Sequence, residues 1–207
     1  MKIKLWIVAF MSLVCYGVSA QENSIEQTFQ SELRKKNEAV NSIKCQFTQT
    51  REVSILAKPI NKGGKFYFLK PNNMLLSFND GDYIKMSSEW FEMKTAGNVV
   101  ATKVASNPML KNLSSILSAC VVGDFNTMSR GFAVNYEQTA KEWIITMTPQ
   151  RGNAAAKISH ITITFDKSDM SLNQLRMEEK SGDYTAYSFS NKLFNVAIDT
   201  QIFNIAK

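Results

Sequence analysis

The chain has 207 residues, of which 44% are hydrophobic and 20% are charged, with a formal net charge of +6 and a single histidine. This length suits one domain with a substantial core and is short for two. The modest charge disfavours a nucleic-acid-binding protein, and one histidine with three scattered cysteines provides no grouped ligands for zinc.

The first twenty residues are typical of a secretory signal peptide. Lys2 and Lys4 form a positive start, Leu5 to Val14 form an apolar segment, and Val18-Ser19-Ala20 is a small-residue cleavage site. The apolar segment is shorter than the roughly 20 residues that a membrane-spanning helix needs. We therefore expect cleavage after Ala20 and one exported domain over residues 21–207. Its net charge would be +4, because Lys2 and Lys4 are the charged residues of the removed segment.

An amphipathic helix and a series of short strands follow. Ile25, Phe29, Leu33 and Val40 recur at near-helical spacing within Gln21 to Val40. Alternation of apolar and polar residues then predicts strands, most of them joined by short turns that favour antiparallel pairing. The predicted strands are Ile43 to Thr50, Gly64 to Leu69, Met74 to Phe78, Tyr83 to Met86, Trp90 to Lys94, Phe132 to Tyr136, Trp143 to Met147, Ile161 to Phe165, Leu175 to Met177 and Tyr187 to Phe189.

A second helix interrupts the strands. Asn107-Pro108 suits a helix start, and four apolar residues recur after it at helical spacing until a predicted end near Gly123. These residues are Leu110, Leu113, Ile116 and Leu117. The sum is a mainly β fold with some α: one long antiparallel sheet that curls into a half-barrel, an open β-barrel covered by a helical lid. A lipocalin-like barrel or a sandwich would satisfy the same pattern.

The strands supply large apolar side chains that could line an interior cavity. Methionine suits such a cavity because its flexible thioether adapts to irregular ligands. Alternation by itself is more often explained by a filled core. The candidate cavity residues are Phe47, Phe66, Phe68, Met74, Leu76, Phe78, Trp90, Phe91, Met93, Trp143, Ile145 and Met147.

Signals of catalysis are weak in this sequence. His160 alternates with Ile161 in a predicted strand, where a half-exposed structural imidazole is the simpler interpretation. The sequence has no nucleophile elbow, metalloprotease helix or Cys-x-x-Cys pair, and Gly63-Gly64 does not open a phosphate-binding loop. Cys45 and Cys120 remain after processing, and either a disulfide or two buried free thiols fits them.

The order of several short motifs resembles the LolA family of periplasmic lipoprotein carriers, from about Val40 to Phe203. The motifs are Phe47-Thr48-Gln49, Gly64 with its aromatic strand, Lys70-Pro71-Asn72, Trp90-Phe91, the Asn107-Pro108 helix, Trp143 to Pro149, Ile161 to Asp166, and Thr185 to Asn191 before Phe203. The resemblance implies an open β-barrel with a helical lid that holds the acyl chains of lipoproteins in a hydrophobic cavity.

The resemblance also implies a role and partners. Acylated lipoproteins would come from an inner-membrane ABC transporter and pass to an outer-membrane acceptor, with no cofactor and no catalysis. We expect the chain to act as a monomer. The lid would comprise Lys70, Leu110, Leu113, Ile116 and Leu117. The best-known carriers have arginine before the proline, and we expect Lys70 to cap the lid more weakly in its place.

Three other functions remain open from the sequence. The same cavity would suit a carrier of another lipid or of a hydrophobic pigment precursor. An enzyme acting on envelope lipids would need a nucleophile and base that these residues do not assemble. A structural interaction domain would have a solid interior.

Overall fold

The computed structural model describes residues 17–106, 114–120, 125, 131–150 and 157–205. Helix α1 spans Gly17–Glu38, and residues 114–120 form helix α2. The strands are β1 (Ser42–Glu52), β2 (Ile60–Leu69), β3 (Asn73–Phe78), β4 (Tyr83–Met86), β5 (Trp90–Thr95), β6 (Asn98–Lys103), β7 (Phe132–Gln138), β8 (Glu142–Pro149), β9 (Ile158–Asp166), β10 (Leu172–Glu179) and β11 (Tyr184–Phe194). Short 3-10 turns lie at Val104–Ser106 and Thr200–Phe203.

The strands form a single eleven-stranded antiparallel sheet in the order β6-β5-β4-β3-β2-β1-β11-β10-β9-β8-β7. Neighbours along the sheet are neighbours in sequence except at one place, where β1 pairs with β11 through contacts such as Phe47 with Phe189. This pairing joins the N-terminal and C-terminal halves of the sheet. Strands β6 and β7 are its two edges, so the sheet is open, as predicted, and neither a closed barrel nor a sandwich.

Strand β6 is the element that the sequence did not predict. It pairs with β5 at the edge of the sheet, from Trp90 with Lys103 to Thr95 with Asn98. Val99 and Val100 are 48% and 57% exposed. Because neither face of β6 is buried, its sequence lacks the alternation that marks the other strands.

The helices cover the inner face of the sheet, which is the face that carries most of the buried side chains. Phe29 and Leu33 of α1 are fully buried against β7, β8 and β9. The predicted mid-chain helix is present over residues 114–120, and Leu110 and Leu113 lie outside the described residues. In the described part of the chain, no helix is long and apolar enough to cross a lipid bilayer.

The outer face is covered in one place by the C-terminal segment. The 3-10 turn Thr200–Phe203 contacts β3, and Lys85 Nζ donates a hydrogen bond of 2.6 Å to the main-chain oxygen of Asn204. Beneath this segment Leu75 is 7% exposed and Glu92 is 1% exposed. The tail thus shields outer-face side chains of β3 and β5 that would otherwise meet water.

Candidate functional site

The inner face carries two separate clusters of buried side chains. The first, the α1 core, packs Phe29 against Trp143 and Phe165 with ring centroids 5.6 and 5.3 Å apart. The second, the β2–β5 core, includes Phe47 and Phe78, whose rings meet edge to face at 5.1 Å. Leu117 of α2 packs against both clusters. Helix α2 therefore lies where the two halves of the inner face meet.

A cavity lies beside α2, between the two clusters, and we call it the central cavity. Its volume is about 50 Å³. Every lining side chain is apolar apart from the tyrosine hydroxyl, and three of them are methionines. The lining residues are Phe66, Met74, Leu76, Ile84, Met86, Leu117, Leu175, Met177, Tyr187 and Phe189.

The structure brings only part of the predicted set to this cavity. Phe66, Met74 and Leu76 line it together with the predicted lid residue Leu117. Four further predicted residues belong to the surrounding β2–β5 core without lining the cavity. These are Phe47, Phe68, Phe78 and Phe91.

Other predicted residues lie elsewhere. Trp143, Ile145 and Met147 of β8 are packed in the α1 core, and so is Ile116 of α2. Ile145 and Met147 are almost fully buried there, whereas Trp143 also lines a separate cleft with Glu32 of α1 and Lys167. The β8 residues and the cavity-lining strands thus share the inner face without sharing a cavity.

Strand β5 divides its aromatic pair between the two faces of the sheet. Phe91 is buried in the β2–β5 core, so its neighbour Trp90 points to the outer face, where Lys103 Nζ lies 5.8 Å from its ring centroid. Met93 is 36% exposed. Neither Trp90 nor Met93 is among the residues that line the central cavity.

Six lining residues were missed by the sequence reasoning. All six lie in predicted strands, but none was assigned to a cavity. They are Ile84, Met86, Leu175, Met177, Tyr187 and Phe189. Their alternation gave the face of each strand. The alternation could not predict that β11 pairs with β1. This pairing brings Tyr187 and Phe189 next to the β2 side chains.

Lys70 contacts the C-terminal end of α1. Its Nζ donates hydrogen bonds of 2.8 and 3.2 Å to the main-chain oxygens of Asn37 and Glu38. The last carbonyls of a helix have no partner within the helix, and a cation there also interacts favourably with the helix dipole. Helix α2 is held to the same region by a different contact, in which Ser118 Oγ donates to Asn72 Oδ1 at 3.2 Å.

A second cavity, the end cavity, lies where α1 ends. It has a volume of about 40 Å³ and is separated from the central cavity by Phe66 and Phe189, which line both and whose ring centroids are 5.5 Å apart. Cys45 and Cys120 also line it as free, buried thiols. Burial raises the pKa of Cys45 to about 12 and raises the pKa of Cys120 as well.

The single histidine lies on the outer face, away from both cavities. His160 Nδ1 is 3.2 Å from Ser159 Oγ, and Nε2 is 3.7 Å from Glu178 Oε2. The second distance is too long for the hydrogen bond that orients a catalytic base, and Arg176 already holds the same carboxylate oxygen at 3.0 Å. Within the described ranges, no three metal-binding side chains group together.

Comparison with known proteins gives one family and a consistent fold. The family model described as outer membrane lipoprotein carrier protein LolA matches residues 38–206. No curated protein matches the chain. An uncharacterized conserved protein from Thermus thermophilus is similar with a TM-score of 0.52 and 10% identity, covering 91% of this chain and 95% of that one. A putative outer membrane lipoprotein-sorting protein domain from Vibrio parahaemolyticus gives 0.50 and 10% identity, covering 90% and 97%.

Proposed function

This chain belongs to the LolA family of outer membrane lipoprotein carrier proteins, and we propose that it carries lipoproteins through the periplasm with their acyl chains in the central cavity. The family is one of carriers and binding proteins, and the proposal extends that role to this chain. Residues 1–20 are proposed to be a cleaved signal peptide that directs export.

The observation that carries the proposal is the composition of the central cavity. Ten side chains from five strands and α2 converge on it, and they present almost no hydrogen-bonding groups. Acyl chains need no such groups, because each buried CH₂ contributes about 0.8 kcal/mol through removal from water. Met74, Met86 and Met177 can adjust their conformations to chains of different shape.

Cargo binding requires the cavity to enlarge. A volume of about 50 Å³ is far below the roughly 300–1,000 Å³ of typical ligand pockets, so acyl chains would need more space than the described lining residues leave. Leu117 is the only described lining residue from a helix. We propose that α2 moves away from the sheet as acyl chains enter, which breaks the hydrogen bond between Ser118 and Asn72.

Transfer in one direction requires the carrier to hold its cargo less tightly than the acceptor does. Closure of α2 over an empty cavity restores contacts that the cargo displaces, so the carrier holds its cargo less tightly than a permanently open pocket would. By family membership, we propose an inner-membrane ABC transporter as the donor and an outer-membrane protein as the acceptor.

Native mass spectrometry with three ligands tests the proposal. The ligands are a triacylated lipopeptide, the same peptide without acyl chains, and a free phospholipid. Met177→Trp fills the cavity, and Gln174→Trp on the outer face of the same strand is the matched control. We expect the wild-type protein and the control to bind the triacylated peptide selectively and Met177→Trp to lose most of that binding.

Other outcomes would change the assignment. Binding of free phospholipid alone would identify a carrier of another lipid. No binding of any ligand would mean that the apolar interior serves only as a core. Equal binding by Met177→Trp and the wild type would place the ligand outside the central cavity.

A further inference from the structure

The end cavity differs from the central cavity in carrying polar groups at one side. Its apolar walls come from β1, β2, β10, β11 and α2, whereas Lys36, Asn37, Asp169, Ser171 and Lys192 lie around its rim. The volume of about 40 Å³ is enough for a small polar group, since a water molecule needs only roughly 10–15 Å³. A site of mixed character at the end of an apolar cavity suits the polar end of a lipid.

Asn37 contributes a buried hydrogen-bond donor to the end cavity. It is 7% exposed, and its Nδ2 finds no hydrogen-bond acceptor among the described residues. A buried donor without an acceptor costs roughly 1–3 kcal/mol. Its main chain is also fixed, because Lys70 Nζ holds the Asn37 carbonyl oxygen at 2.8 Å. The amide is thus a positioned donor next to a cavity.

Charged side chains of both signs surround the end cavity. Lys192 Nζ donates to Ser171 Oγ at 2.7 Å and to Asn173 Oδ1, and burial lowers the pKa of this lysine. The one carboxylate, that of Asp169, accepts hydrogen bonds from Ser171. Lys36 adds a second cation, whose Nζ lies 6.0 Å from the Phe194 ring centroid. Two lysines and one aspartate line this rim, and Asp166 and Glu142 also interact with Lys192, so the selection for an oxygen rests on the Asn37 donor.

The end cavity and the central cavity adjoin at two aromatic rings. Phe66 and Phe189 line both cavities and contact each other. A change of their rotamers would connect the two spaces without breaking the sheet, since both side chains stand on the inner face of strands that flank β1. A ligand with one polar end and a hydrocarbon chain could then occupy both.

We propose that the end cavity binds the oxygen of an acyl group, with Asn37 Nδ2 donating to its carbonyl or carboxylate oxygen and the hydrocarbon chain passing Phe66 and Phe189 into the central cavity. This inference rests on the proposed acyl-chain binding and adds a chemical selection to it. The carrier distinguishes acyl chains from hydrocarbon chains that lack an acceptor oxygen.

Displacement of the neutral dye N-phenyl-1-naphthylamine tests this selection. The competing ligands are laurate, methyl laurate and dodecane, which offer a carboxylate, an ester carbonyl and no acceptor. The variants are Asn37→Leu, Lys192→Met and, as a matched control, Asn61→Leu at an exposed position of β2. Thermal unfolding is measured for every variant.

We expect Asn37→Leu to weaken laurate and methyl laurate by about tenfold each and to leave dodecane within twofold of wild type, as loss of one hydrogen bond predicts. The unfolding temperature of Asn37→Leu should equal or exceed that of wild type, because the variant removes a buried donor without an acceptor. If the site holds free carboxylates, Lys192→Met should weaken the binding of laurate alone. If the site holds esters, Lys192→Met should affect the binding of laurate and methyl laurate equally.

Equal weakening of all three ligands by Asn37→Leu, or no weakening of any, would overturn the inference and leave acyl-chain binding intact. The second result would indicate that water or a neighbouring group satisfies the amide. A wild-type protein that binds neither the dye nor any ligand would overturn the proposed function together with the inference.

Discussion

Lys70 Nζ donates a hydrogen bond of 2.8 Å to the main-chain oxygen of Asn37, so the end of strand β2 is tied to the last turn of helix α1. The contact places a cation where the helix presents unpaired carbonyls. It also fixes the backbone of the residue whose side chain lines the end cavity. One lysine thereby links the position of a covering helix to the geometry of a candidate ligand site.

Lys70→Ala is expected to lower the free energy of unfolding by about 1–2 kcal/mol, because it removes a charged hydrogen bond at a helix end. Chemical denaturation measures this change, and hydrogen exchange should show faster opening of residues 37–40. Lys65→Ala, at an exposed position of β2, is the control and should stay near wild type. If Lys70→Ala binds and releases lipopeptide as the wild type does, Lys70 is not a lid-capping residue.

Gly64→Ala is expected to destabilise the protein by about 1–3 kcal/mol through overpacking. A Cβ at this position would lie 2.3 Å from the Ser77 carbonyl oxygen and 2.7 Å from the Phe47 ring. At Gly63 the nearest atom is the movable Asn79 side chain, 3.1 Å away. Urea unfolding of Gly64→Ala and Gly63→Ala measures the difference in stability. Equal destabilisation would contradict overpacking against Ser77 and Phe47 as the cause at Gly64.

Lys85→Met is expected to lower the free energy of unfolding by about 3 kcal/mol, because it removes the Lys85 ammonium from beside the buried Glu92 carboxylate. Lys85 Nζ lies 3.6 Å from Glu92 Oε1, which also accepts a hydrogen bond of 2.9 Å from Tyr83 Oη. A double-mutant cycle with Glu92→Gln measures the coupling. The double variant should lose less stability than the sum of the two single changes, by more than about 1 kcal/mol. Strict additivity would mean that Lys85 and Glu92 do not interact.

The buried thiol of Cys45 should make stability fall at alkaline pH. Its pKa rises from an ordinary 9.0 to about 12 in the folded state, so between these values the unfolded chain releases a proton that the folded chain keeps. The free energy of unfolding should therefore decrease with rising pH above about 9, by up to about 1.4 kcal/mol per pH unit from this group. Comparison with Cys45→Ala at about pH 8, 9 and 10 under reducing conditions isolates the effect; parallel curves would contradict it.

The alternation of the sequence predicted most strands and their inner faces, because side chains on a strand point to opposite faces with a period of two. Tyr83–Met86 was predicted with its bounds as they stand in β4. Phe66, Met74 and Leu76 were likewise placed on one face, and they share the central cavity. The short motifs were enough to indicate the family that the matched residues 38–206 establish.

The sequence alone could not decide which inner-face residues form a solid core and which surround a cavity. That division depends on partners far apart in the chain: Phe47 pairs with Phe189 across the middle of the sheet, whereas Trp143 is buried beneath Phe29 of α1. Local periodicity fixes the direction of a side chain but carries no information about what packs over it. Tertiary structure supplied that covering, and with it the two cavities separated by Phe66 and Phe189.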